Sequence, residues 1–164
     1  MQAALTELTH SIPDLTDLVR IVARLSVALI IGAAVGMQRE ASHKAAGLRT
    51  HMLVALGTAL IVVASADAGF TSADLSRVIQ GILTGIGFLG GGAILKLTQE
   101  HEIRGLTTAA GIWLTAGASA AAGLGQMAGA LIGVVLGLVV LALIGRLEKQ
   151  GPASRTSPKE RDPS

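Results

Sequence analysis

An all-α membrane protein, a five-helix transmembrane bundle with its N-terminus outside and its C-terminus cytoplasmic, is the fold class this sequence predicts. Three observations carry it. Of the 164 residues 51% are hydrophobic and 15% charged, with a mean hydropathy of +0.62, a balance outside that of ordinary globular domains. Five apolar stretches each approach the ~20 helical residues that a hydrocarbon core demands. Lys and Arg gather on one side of those stretches, which the positive-inside rule makes cytoplasmic.

Residues 1–17 read as an extracytoplasmic segment. They include Glu7, Asp14 and Asp17 and lack a basic n-region and an apolar h-region, so no cleavable signal peptide is expected. The membrane domain then runs over 18–146, with spans at about 18–37, 48–66, 78–97, 106–122 and 127–145. The second span is the weakest, because its uninterrupted apolar part begins only at Met52, and a re-entrant segment is the alternative. Residues 105–145 are 41 positions without a charge, too long for one crossing at ~1.5 Å per residue. The chain turns back at Gly123-Leu124-Gly125-Gln126, which has the best turn chemistry. Residues 147–164 are polar, Pro-containing and aromatic-free, and read as a disordered cytoplasmic tail.

The basic residues orient this bundle. Arg39, Lys44 and Arg49 follow span one, Lys96 at the end of span three and Arg104 in the next loop share that side, and Arg146, Lys149, Arg155, Lys159 and Arg161 follow span five. Only Arg20, Arg24 and Arg77 fall on the other side. A faint repeat accompanies the map: Gly47-Leu48-Arg49-Thr50 opens span two and Gly105-Leu106-Thr107-Thr108 opens span four, which suggests that spans one and two correspond to spans three and four.

Composition removes several functions. Two Phe, one Trp and no Tyr leave little to stack on nucleobases, and the net charge of +2 lies in loops and tails, so no nucleic-acid partner is expected. The absence of Cys excludes thiolate chemistry. No nucleophile–base pair and no metal-ligand spacing appears, so neither a catalytic residue, a cofactor nor a metal site is expected. No span carries Asp or Glu in its middle third, as an ion pathway would require. The midspan hydroxyls Ser26, Thr58, Thr84, Thr115 and Ser119 are expected to bond helix carbonyls.

Glycine is the other signature. It costs about 1 kcal/mol relative to alanine in a helix, but in lipid it lets a neighbouring backbone approach. Gly32 and Gly36, Gly81 and Gly85, Gly87, Gly90 and Gly92, and the series Gly129, Gly133 and Gly137 are therefore assigned to helix packing. The glycines of span three read as the close-packing centre of the bundle. The long series in span five serves either internal contacts or a homodimer.

Polar motifs collect at the cytoplasmic face. Gln38-Arg39-Glu40, Ala46-Gly47-Leu48-Arg49-Thr50-His51, Gly85-Ile86-Gly87-Phe88-Leu89-Gly90 and Arg104-Gly105-Leu106-Thr107-Thr108-Ala109-Ala110 with Trp113 resemble, in this order, the membrane domain of the MgtC/SapB family. The resemblance covers about residues 20–144. It implies a five-span bacterial inner-membrane protein linked to growth at low magnesium and, in pathogens, to virulence. It also implies contact with the F-type ATP synthase and no carriage of magnesium by the protein itself. One departure is Gly91, where the family often has Ala.

The residues of those motifs form the candidate ligand- or partner-binding site: Arg39, Glu40, Arg49, Thr50, His51, Arg104, Thr107 and Thr108. Arg49 and Arg104 stand at helix N-termini, which expose unpaired N–H groups and about half a positive charge. Thr50, Thr107 and Thr108 can cap those N–H groups or offer hydroxyls to an anionic ligand. The plainer alternative has the arginines anchor the bundle to lipid phosphates and pair with Glu40, Glu100 or Glu102. His51 is either a pH-sensitive group or a hydrogen-bond partner of a neighbouring loop. Glu40 is expected to pair with Arg39, Arg49 or Arg104. At the outer face, Arg20 and Arg24 with Asp67, Asp74 and Arg77 form either an ion-pair lid or snorkelling anchors, with Asp74 also a candidate helix cap. The expected function is that of a non-enzymatic membrane modulator engaging the bilayer, a membrane partner and an anionic ligand; a small-solute or Mg2+ transporter is the competing class.

Overall fold

The computed structural model describes residues 14–97 and 102–150, so the expectations for 1–13, 98–101 and 151–164 lie outside the described residues. Among the described residues five helices follow one another: α1 Leu15–Ala41, α2 Leu48–Asp67, α3 Ser72–Ala93, α4 Leu106–Gly123 and α5 Met127–Gln150. Their starts have identifiable local causes. The Asp14 carboxylate accepts from the Asp17 backbone N–H at 2.8 Å and caps α1. Thr71 and Asp74 cap α3 reciprocally, the capping box that satisfies two otherwise orphaned donors. Asp74 thus serves as the cap expected of it.

Helices α1, α3 and α5 run past the expected spans, over Leu15–Ala41, from Ser72 and to Gln150, and one boundary differs in kind. Span three was expected to reach Leu97, but α3 stops at Ala93 and Leu95–Leu97 pairs antiparallel with Glu102–Arg104 as a short hairpin, β1 and β2. Gly90, Gly91 and Gly92 weaken the last turn of α3, and Gly105 closes the hairpin with φ +97° while packing on the Ala93 carbonyl. A side chain at 105 would meet both a left-handed backbone and that oxygen. At the other end of α4, Gly125 takes φ +84° in the expected turn, and Arg24 donates to the Gly123 carbonyl at 3.1 Å.

The core is built by α1, α2 and α4, with α5 closing one side. Ile31 and Val35 of α1 pack with Ala118 and Ala122 of α4 and Ala130 and Val134 of α5. A second cluster joins Ala46, Ile86 of α3, and Ile112 and Ala116 of α4. Helix α4 is buried over much of its circumference, from Thr108 to Gly123, whereas the buried residues of α3 are Ile86 and Gly90.

That difference corrects the packing assignment. A Cβ on Gly32 would lie 2.6 Å from the His51 carbonyl oxygen, and one on Gly36 would lie 2.7 Å from Leu48 Cα, so these two glycines do set the α1–α2 approach. Gly90 touches Ala109 and Gly137 touches Leu114. Gly81, Gly85, Gly87, Gly129 and Gly133 face open space, because α3 and α5 present those faces outward, and Gly92 faces the open cavity between α2, α3 and α4. The close-packing centre is the α1–α2–α4 junction rather than span three. Gly123, absent from the sequence assignment, packs its α-carbon on Val62 and Ala59 of α2.

Outward faces are strongly apolar. Phe88 is 83% exposed, and Leu53, Ile30 and Leu136 are likewise turned out, far more apolar surface than a soluble monomer leaves to water. By length and composition, α1 and α2 are each long and apolar enough to cross a membrane, and Met127–Leu143 of α5 is a shorter apolar helix segment.

Candidate functional site

The ends of α1 and α3 meet the starts of α2 and α4, and there the structure divides the expected site into a buried half and an exposed half. Arg39, in the last turn of α1, is 2% exposed. Its Nη2 donates to Thr108 Oγ1 at 2.8 Å. His51, in the first turn of α2, is fully buried, with Nδ1 at 2.8 Å from Thr115 Oγ1. The Thr115 hydroxyl donates to the Gly111 carbonyl at 2.9 Å. Its one proton is therefore committed, so His51 Nδ1–H is the donor to the Thr115 oxygen.

Helix α4 supplies the other side through residues spaced three or four apart. Thr108, Gly111, Thr115 and Ser119 line one face, and all four are buried. Gly111 makes room: a Cβ there would lie 3.5 Å from His51 Cε1 and 3.8 Å from Arg39 Nε. Arg39 Nε, His51 Nε2 and Ser119 Oγ are buried without a hydrogen-bond partner. Among the described residues no carboxylate comes within ion-pair distance of Arg39, and the pairs Arg20–Asp17 at 2.9 Å and Arg77–Asp74 at 3.7 Å lie at the opposite end of the bundle. Buried charges are normally paired. This one has a single neutral hydroxyl.

Several sequence expectations are corrected by this geometry. Among the described residues Glu40 pairs with no arginine; its carboxylate accepts from the Leu48 backbone N–H at 2.8 Å and caps α2, across a Gly47 whose missing side chain leaves space for it. Neither α2 nor α4 has a side-chain cap from its own N-cap glycine, and Thr50, Thr107 and Thr108 do not cap them. His51 reaches the middle of α4 rather than a loop. The outer lid is absent as drawn, since Arg20 and Arg77 pair within their own helices and Arg24 holds the α4–α5 turn. Of the midspan hydroxyls, Thr84 and Thr115 bond helix carbonyls as expected, while Ser119 does not. Arg49, Thr50, Arg104 and Thr107 are exposed and form the outer half of the site.

A cavity of about 350 Å³ opens beside the buried half, between α2, α3 and α4. Val54, Phe88, Leu89 and Ile112 make its apolar walls, and Thr50 and Thr108 its hydroxyls. Thr108 thus belongs to both the cavity and the Arg39 bond. No group of three or more His, Asp or Glu that could hold a metal ion occurs among the described residues. The site offers donors, which suits anions and carbonyl oxygens better than cations.

Comparison with known proteins places this arrangement. The model of the MgtC family matches residues 25–150, which takes in both halves of the site. The chain belongs to the MgtC family. Its relatives include Protein SrpB of Synechococcus elongatus, 43% identical over 108 residues that cover 59% of this chain and 59% of SrpB. YhiD of Escherichia coli K12 is 44% identical over 101 residues, 57% of this chain and 46% of YhiD. Protein MgtC of Brucella abortus is 44% identical over 92 residues, 56% of this chain and 37% of that protein. The match therefore spans about half the length of these MgtC-family relatives. No solved structure matches the chain.

Proposed function

We propose that this MgtC-family chain is a five-span protein of the bacterial inner membrane, N-terminus outside and C-terminus cytoplasmic, that modulates a membrane partner in magnesium homeostasis without catalysing a reaction. The observation that carries the reading is the buried Arg39, held by Thr108 beside His51 with no carboxylate at hand among the described residues. A fixed cation at the junction of α1, α2 and α4 repels Mg2+, and a magnesium path would need carboxylates or carbonyls in its place. The buried half locks the helix ends in register. The exposed Arg49, Thr50, Arg104 and Thr107 are then the contact face, and the F-type ATP synthase is the partner that the family resemblance implies.

Magnesium enters through the relatives. YhiD is provisionally named a magnesium transporter, which makes transport the second reading. Two experiments separate them. Arg49→Ala with Arg104→Ala, in a chain that still inserts, is expected to abolish growth support at low magnesium and crosslinking to the partner in native membranes; full retention of both overturns the contact face. Magnesium flux into proteoliposomes containing only this chain overturns the modulator reading in favour of transport.

A further inference from the structure

We propose that the cavity between α2, α3 and α4 binds one anionic lipid of the surrounding bilayer, its headgroup oxygens accepting from Thr50 and Thr108 and one acyl chain lying against Val54, Leu89 and Ile112. The inference rests on the membrane placement of α2 and α3 proposed above. At about 350 Å³ the cavity falls at the small end of ligand sites, which run ~300–1,000 Å³. It takes a flexible chain and has no room for a partner helix ~10–12 Å across.

The polar end of the cavity is set up for an acceptor. Thr108 Oγ1 accepts from the Arg39 guanidinium at 2.8 Å and lines the cavity, which puts its hydroxyl within reach of an acceptor there. The charge behind it strengthens that donor. Arg39, nearly fully buried with Nε unpartnered, lacks a counter-ion among the described residues, and an anion on Thr108 would stand one hydroxyl away. Lys44 and Arg49, both exposed near the same end, add the attraction that basic residues exert on anionic headgroups. Phe88, part of the cavity's apolar wall, is 83% exposed, so that wall is open to the outer surface. An acyl chain enters there without leaving hydrocarbon, whereas a hydrated ion would exchange its shell for two hydroxyls and an apolar wall.

The test uses the full chain in phosphatidylcholine nanodiscs carrying a trace of diazirine-labelled phosphatidylglycerol or, in a matched sample, diazirine-labelled phosphatidylcholine. Mass spectrometry maps the label. The expected result is preferential labelling of residues 50–54 and 88–93 by the phosphatidylglycerol probe. Thr108→Val should reduce that preference about tenfold, the equivalent of one charge-assisted hydrogen bond. A side chain at Gly92 meets nothing within 4 Å, so Gly92→Leu fills the cavity without moving the backbone and should remove the label there from both probes. Equal labelling by the two headgroups overturns the proposal, as does an undiminished signal in Gly92→Leu or displacement of the probe by inorganic phosphate. Label on the outer faces of α1 and α5 but none in the cavity overturns the lipid site and leaves the membrane placement standing; no label anywhere on the chain overturns both.

Discussion

Replacing Gly32 by alanine adds one methyl group at the place where α1 lies against the backbone of α2. The new Cβ would stand 2.6 Å from the His51 carbonyl oxygen and 2.8 Å from Met52 Cα and Ala55 Cβ. Ordinary contact begins at 3.4 Å, so the helices must part by about 0.8 Å along the shortest line. Neither helix moves freely. Helix α1 is tied to α4 through Arg39 and Thr108, and α2 through His51 and Thr115, each bond at 2.8 Å, and a hydrogen bond stretched to about 3.6 Å is lost. Overpacking costs about 1–3 kcal/mol, and a broken buried bond costs about 1–3 kcal/mol more. The gain in helix propensity returns about 1 kcal/mol, which leaves a net loss of about 3 kcal/mol. Unfolding of the detergent-solubilised chain by dodecyl sulfate, followed by far-ultraviolet circular dichroism, reads the difference. Gly85→Ala is the control, since a Cβ there meets nothing, and it should match the parent or exceed it by up to about 1 kcal/mol. A Gly32→Ala chain as stable as the parent, or a Gly85→Ala chain equally weakened, would refute the placement of the tight helix contact.

Three further outcomes are expected from the same titration. Thr115→Val leaves the buried His51 Nδ1–H without an acceptor and should cost about 1–3 kcal/mol, whereas Thr115→Ser, which keeps the hydroxyl, should recover most of it; equal losses would show that packing alone matters. Arg39→Met keeps much of the stem while removing an unpaired buried charge, so it should equal or exceed the parent in stability, by up to about 4 kcal/mol; a large loss would mean that the Thr108 bond outweighs desolvation. Gly105→Ala combines a left-handed backbone with overlap on the Ala93 carbonyl and should lose more than the ~1–2 kcal/mol of the conformation alone, with a neutral result contradicting the hairpin geometry.

Helix positions were legible because apolar runs broken by Gly, Asp and Arg define them. The polar motifs also led to Arg39, His51 and Thr108, three members of the buried half. Which arginine goes inside was not legible. Arg39 and Arg49 flank the same short connection, and only the rotation of α1, set where Gly32 and Gly36 meet α2, turns Arg39 inward. The α4 stripe of Thr108, Gly111, Thr115 and Ser119 was readable in its spacing, yet small hydroxyl residues in apolar helices ordinarily bond their own backbone. Counting glycines could not reveal their direction, either. Gly32 and Gly81 have similar apolar surroundings in sequence, and what separates them is whether another helix arrives on that side.

The pairing of α1 and α2 with α4 also bears on how the chain is made. Arg39 precedes Thr108 by 69 residues and His51 precedes Thr115 by 64. At ~5–20 residues per second of synthesis, the guanidinium and the imidazole wait roughly 3–14 seconds for their partners. During that interval the first two helices can meet each other, but Arg39 and His51 lack the α4 hydroxyls that they bond in the folded chain. The order of synthesis thereby makes α4 the element that satisfies both groups at once, leaving α5 to close the remaining side of the core.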